Sequence, residues 1–229
     1  MQGLFDQSRD FDDDVFRNIV SLRESQNLFA DLSGGDESLS RLAVELEMRA
    51  KKDIPPGMIN RGFHYTTAIL YPFESEPYLH SRYGNGSYGV WYGSLSLETS
   101  IHETTYHMIR SELNIEGLDE TVVRERAVYL VHCRAVLVDL SRKGGEHPAM
   151  LADDYAFTQS VGARLQGEGH PGLLAPSARH RGGTNLAAFR PEVLSDPRHH
   201  CYLTYRLDPM ARRLWVERQP GEMVLELPF

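Results

Sequence analysis

The run AVYLVHCRAVLVDL at residues 127–140 constrains the fold more than any other segment. Valine and leucine make up half of it, glycine and proline are absent, and it reads as one long strand or two short ones. A strand needs neighbours for its backbone donors and acceptors, so the chain is committed to a sheet. Candidate neighbours are plentiful. FHYTTAILY (63–71) is β-rich, and VWYGS (90–94) is a short strand after the turn-rich SRYGNGSYG (81–89). GLLAPSARHRGGTNLAAFRP (172–191) reads as strand, loop, strand, and HHCYLTYRL with RRLWVER suggests a terminal hairpin. Helices are few. LETSIHETTYHMIRS (97–111) looks helical, with Ser96 as N-cap and Glu98 in the first turn. DYAFTQSVGARLQ (154–166) is a second helix, ended by GEG. Many strands with few helices between them favour α+β over a doubly wound parallel sheet.

The N-terminal part has a different texture. In residues 11–32, Val15, Ile19, Leu22, Leu28, Phe29 and Leu32 recur at roughly helical spacing, and the aspartates at 12–14 suit a first turn. Residues 37–52 read as another helix, stopped by DIPPG. Residues 1–57 are therefore expected to form a helical segment, either layered on the main domain or available to a partner, and 58–229 the main domain.

Net charge is −8 and the apolar fraction 41%. A real core can form, but the balance argues against a stand-alone nucleic-acid binder, whose affinity rests on lysine and arginine. A local arginine cluster can still hold a small anion. No stretch approaches the roughly 18 apolar residues of a membrane span. No basic region followed by an apolar run opens the chain, and the two cysteines form no disulfide framework. The expected compartment is a reducing cytoplasm.

Several familiar chemistries fit poorly. The HHC run at 199–201 lacks the second ligand pair of a structural zinc site. GNGSYG (84–89) has neither a Walker lysine nor the strand–glycine–helix context of a dinucleotide turn, and suits a hairpin. Ser177 lacks a nucleophile elbow. Glu98 and Glu103 lie five residues apart on one helix and so project about 140° apart, which does not suit a glycosidase pair.

There remains a set of polar residues beside aromatic strands. They are His64 and Tyr65, Arg82 and Tyr83, Tyr92, Glu103, Thr158 and Gln159, and Ser177 and Arg179. Their order, carried by FHYTTAILYP, SRYGNGSYGVWYGSLSLETSIHE, DYAFTQSVG and APSARHRGGTNLAAFRP, resembles the RES domain over roughly residues 58–210. The resemblance implies an ADP-ribosyltransferase-like fold of split, mostly antiparallel sheets with flanking helices. It implies a bacterial toxin that consumes NAD+ by phosphorolysis or hydrolysis of the nicotinamide–ribose bond, or that transfers ADP-ribose. NAD+ would be a substrate, with inorganic phosphate a possible co-substrate and no resident cofactor or metal. The implied partner is an Xre-like helix-turn-helix antitoxin, in a hetero-oligomer or beside a homodimer. Two positions depart from the family pattern: His64 precedes Tyr65 where many members have arginine, and Ala156 stands where many have serine or threonine. His64, Tyr92 and Glu103 follow the order of the His-Tyr-Glu group of ADP-ribosyltransferases. The family serine role falls to Ser160, to Ser177 or to neither.

The same resemblance assigns roles. Glu103 would stabilise the positive charge that develops on the ribose. Tyr65 and Tyr92 would pack on the nicotinamide, and His64 would bond a ribose hydroxyl or the carboxamide. Arg82, beside Tyr83, would hold the diphosphate. Thr158, Ser177 and Arg179 would hold phosphate or the nicotinamide amide.

Overall fold

The apolar run forms a single strand, β3 (Val122–Asp139), and the rest of the sheet is arranged around it. The structure, a computed structural model, describes residues 3–21, 66–74 and 76–229. Strand β1 (Ser8–Val20) lies antiparallel along one edge of β3, from Ser8 opposite Val138 to Val20 opposite Arg126. The other edge takes β6 (Leu194–Asp208), followed outward by β7 (Arg213–Gln219) and β8 (Glu222–Pro228). Past the end of β6, β3 meets β4 (Gly172–Pro176) in parallel at Val138 and Asp139. Strand β4 pairs with β5 (Thr184–Ala188), and β5 with β2 (Trp91–Ser94). Strand β2 then reaches β1 through the single pair Phe16–Ser94. The pairings β1–β2–β5–β4–β3–β1 thus close on themselves, with β6, β7 and β8 as an extension.

The sheet is mixed and carries a few helices, as an α+β fold should. It differs from the expectation at two places. The segment expected to open a helix at residue 11 is a strand through Val20. Phe11, Val15 and Ile19 are spaced by four, which satisfies a helix face and, being even, a strand face as well. All three pack in one core cluster with Trp91 and Val131. The long partner β3 decides between the two periods. The aspartates find cross-strand partners: Asp12 contacts His132 Nε2 at 3.0 Å, and Asp14 pairs with Arg198. The second correction concerns TTAIL, expected in a strand, which forms a helical turn at Thr66–Leu70. The helix expected at 37–52 lies outside the described residues, as do His64 and Tyr65.

Two helices flank the sheet and position the site. Helix α1 (Leu97–Glu112) is capped by Ser96, whose Oγ accepts from the Thr99 N–H at 3.1 Å. It covers the cluster of Val128, Leu203, Tyr205 and Val216 with Ile101 and Met108. Helix α2 (Ala156–Gly167) packs Val161 and Leu165 on Val138, Leu173 and Ala187. Cys133 and Cys201 are buried free thiols, and burial pushes Cys133 up to about 12.

Gly162 is a close approach of α2 to the rest of the chain. A Cβ there would sit 2.0 Å from the Tyr83 carbonyl oxygen and 2.9 Å from the Tyr88 hydroxyl. That carbonyl is backbone and cannot swing aside. Gly162→Ala is expected to cost about 1–3 kcal/mol, as overpacking does, and to displace the Tyr83 backbone. Chemical denaturation of the variant beside wild type measures the cost, and an unchanged midpoint would contradict it.

Candidate active site

Strands β1 and β2 share one residue pair and then diverge. A cavity of about 310 Å³ occupies the space between them, at the low end for small-molecule sites. Phe16, Arg17 and Asn18 of β1 line one side; Tyr92, Gly93 and Ser94 of β2 line another. Helix α1 contributes Ser100, Glu103, Thr104 and His107, whose spacing places them on one helix face. The loop His80–Tyr83, Tyr155, and residues of β4 and β5 including Asn185 complete the described lining.

Glu103 is held by two short hydrogen bonds to one oxygen. Ser177 Oγ and Asn185 Nδ2 each donate to Oε1 at 2.6 Å, and no described residue bonds Oε2. Both donors are themselves fixed. Ser177 Oγ accepts from the backbone N–H groups of Arg179 (3.1 Å) and His180 (2.9 Å), so its proton is left for the carboxylate. The Asn185 Oδ1 accepts from Ser94 Oγ at 2.7 Å, which turns the amide nitrogen toward Glu103. The result is a carboxylate of set orientation with one oxygen open to a ligand.

The Tyr92 ring lines the cavity while its hydroxyl is committed to the protein. It accepts from the Tyr83 N–H and bonds Ser81 Oγ, both at 2.8 Å. Burial raises its pKa, so it is a neutral phenol, suited to holding the 81–84 turn rather than acting as a base. Gln159 of α2 secures the same turn through the carbonyls of Ser81 (3.0 Å) and Gly84 (3.4 Å). Arg82 donates from Nη1 to the carbonyls of Met150 and Ala152, both at 2.9 Å, and stacks over Tyr155. These contacts orient its guanidinium without a carboxylate partner among the described residues.

Of the other expected site residues, Tyr83 stays at the cavity, while Thr158 and Arg179 lie outside its described lining. Tyr83 is buried, with its ring in the cluster under α2 and its hydroxyl unpartnered among the described residues. Thr158 does not reach the cavity. Its side chain is fully buried in α2 and donates to the Tyr155 carbonyl at 3.1 Å, so the expectation that it touches phosphate is corrected. Arg179 is tied to Asp153 at 2.6 Å and lies over the Tyr106 ring, outside the lining. Ser160 is exposed and bonds Phe157, whereas Ser177 bonds Glu103, so the serine beside the carboxylate is Ser177. Nothing local in the sequence marks Asn185, Arg17, Tyr155 or His107 as part of the lining. Partial desolvation first, and the Arg179, Arg82 and Arg126 charges after it, hold His107 below the ordinary imidazole value, against the pull of Glu103.

Among the described residues, Glu98, His102 and His180 bring three possible metal-donor atoms within 4.8 Å of one another, on the outer side of α1. The two rings stack at 4.7 Å, and His180 Nδ1 is bonded to Thr99 Oγ1 at 2.9 Å. The His199–Cys201 run is part of β6, where His199 packs on Tyr129 and Tyr202.

Ser177→Ala removes one of the two donors to Glu103 and leaves two part-buried N–H groups without their acceptor. The expected loss is about 1–3 kcal/mol of stability, the cost of unsatisfied polar groups. Urea denaturation reads it directly, and a loss below a few tenths would mean that solvent replaces the hydroxyl.

The sequence matches the profile of the RES domain over residues 49–208. No curated protein matches it. Among solved structures, a chain of the M. tuberculosis MbcT–MbcA toxin–antitoxin complex is similar at 12% identity, with 85% of each chain covered and a TM-score of 0.45. The matched profile spans well over half of this chain and takes in Arg82, Tyr92, Glu103, Ser177 and Asn185, so the chain belongs to the RES domain family.

Proposed function

We propose that this protein is the toxin of a toxin–antitoxin pair and acts by cleaving the nicotinamide–ribose bond of NAD+, with phosphate or water as acceptor. The observation that carries the reading is Glu103, a carboxylate fixed through one oxygen by Ser177 and Asn185 with the other left open at a cavity. Breaking this bond develops positive charge on the ribose, while nicotinamide departs neutral. A preoriented carboxylate beside the ribose stabilises that charge without reorganising as it forms. The Tyr92 ring forms an apolar wall for the nicotinamide and keeps water from it. Arg82 supplies a guanidinium with no carboxylate of its own among the described residues, suited to a diphosphate. His64 and Tyr65 retain the roles the family resemblance gives them. An Xre-like antitoxin is the proposed partner and the cytoplasm the proposed site of action. The finer fold assignment, to the ADP-ribosyltransferase type, belongs to the same reading.

Glu103→Gln keeps size and most hydrogen bonding while removing the charge. Turnover should fall by roughly 10²–10³-fold or more, with the thermal midpoint nearly unchanged. The assay follows NAD+ by NMR with partner-free protein, in buffers with and without phosphate. Nicotinamide released only with phosphate, beside an ADP-ribose phosphate ester, identifies phosphorolysis; release in both buffers with free ADP-ribose identifies hydrolysis. Intact NAD+ in both buffers would overturn the reading in favour of ADP-ribosyl transfer to a macromolecule or a non-catalytic module. Equal activity in the variant would remove Glu103 from the chemistry.

A further inference from the structure

Arg17 stands out among the arginines near the cavity because its Nε is buried without a hydrogen-bond partner among the described residues. It projects from β1 and lines the cavity. Its Nη1 donates to the Tyr92 carbonyl at 2.8 Å, and its guanidinium lies 5.3 Å from the Trp91 ring centre. Among the described residues the buried Nε has no hydrogen-bond partner, and no carboxylate pairs with the group.

The neighbouring arginines are engaged differently. Arg126 donates to the Asn18 side chain at 2.7 Å and its carbonyl at 3.0 Å. Arg179 has Asp153. Desolvation, followed by repulsion from Arg126, lowers Arg17 to about 10, so it stays cationic at neutral pH despite its surroundings. The side chain is half-buried, with its Nε fully enclosed, and a guanidinium partly withdrawn from water without a counter-ion is costly. The described residues supply no counter-ion, and Arg17 lines a cavity that Arg82 and Glu103 also line.

We propose that Arg17 binds a phosphate oxyanion of the substrate, making β1, which lies outside the matched family region, part of the binding site. This rests on the proposed NAD+-cleaving reading for the identity of the substrate. The oxyanion is either a phosphate of the dinucleotide or the free phosphate that accepts ADP-ribose; both present the same tetrahedral oxygens to a guanidinium. Strand β1 is well suited to carry the residue, since it is paired with β3 along its whole length and cannot drift. Trp91 and the Tyr92 carbonyl fix the plane of the fork, which leaves Nη2 without a protein partner among the described residues.

The test uses the full chain, with Arg17→Gln and Arg17→Lys. Glutamine retains a donor for the Tyr92 carbonyl and lysine retains the charge, so at least one is expected to fold, judged by the thermal midpoint. Binding is measured by calorimetry with ADP and separately with inorganic phosphate, neither of which requires turnover. Steady-state NAD+ cleavage is then followed with each substrate varied. Loss of a charge-assisted contact should weaken the relevant anion by roughly 10–100-fold in Arg17→Gln, less in Arg17→Lys. Weakened ADP binding with a raised KM for NAD+ assigns the dinucleotide phosphates. Weakened phosphate binding with a raised KM for phosphate alone assigns the co-substrate. Unchanged affinities for both anions in a folded variant overturn the proposal even if NAD+ is cleaved normally. Failure of the wild-type protein to bind either anion also overturns it. Anion binding that depends on Arg17 in a protein that leaves NAD+ intact would sustain the anion site and sink the cleavage reading instead.

Discussion

One oxygen of Glu103 is the joint on which the site depends. The helix that carries it, the loop after β4 and the strand β5 meet there, through donors 74 and 82 residues away in sequence. A surface glutamate on a helix has several rotamers of similar energy. Two donors at 2.6 Å, each fixed by a further hydrogen bond, select one of them. The cost of ordering the side chain is therefore met by the fold before any ligand arrives, which is the condition for electrostatic stabilisation to be strong.

The opposite wall is built on the same logic. Tyr92 points its hydroxyl at the 81–84 turn, Gln159 grips the turn from α2, and Gly162 lets the helix come close enough to do so. Arg82 is in this way positioned by residues 9 to 78 positions distant from the turn. A tyrosine hydroxyl at an active site invites an acid–base role, but this one is neutral, buried and doubly bonded. Its contribution is to geometry, and the ring is what a ligand would meet.

Much of this is legible in sequence where the signals are local. The Ser96 cap, the glycine-bounded aromatic strand and the continuous apolar run of β3 each resolve within a few residues, and the elements appear where expected. Glu103 and Ser177 are also legible, through the order of motifs rather than through spacing. The failures have a common physical cause, because they depend on pairing at long range. Residues 11–20 satisfy two periods, and only β3 chooses. Asn185 looks like an interruption in an apolar strand until the register sets it opposite Ser94. Thr158 falls beside the right motif but on the buried face of α2.

That long-range dependence also bears on what counts as the functional unit. The family profile begins at residue 49, which leaves β1 outside it. Yet β1 covers an edge of β3 from residue 126 to 138 and completes the ring through Ser94. Without it, a row of backbone donors and acceptors on β3 would lose its partners, and the Trp91 side of the core would lose Phe11, Val15 and Ile19. The cavity owes its shape to the same strand, since it opens where β1 and β2 part after one pair. An element outside the matched profile thus supplies one wall of the pocket and a half-buried guanidinium that no carboxylate pairs with among the described residues. Variation in such a strand would be a direct way for relatives with the same Glu103 geometry to differ in how they hold an anion.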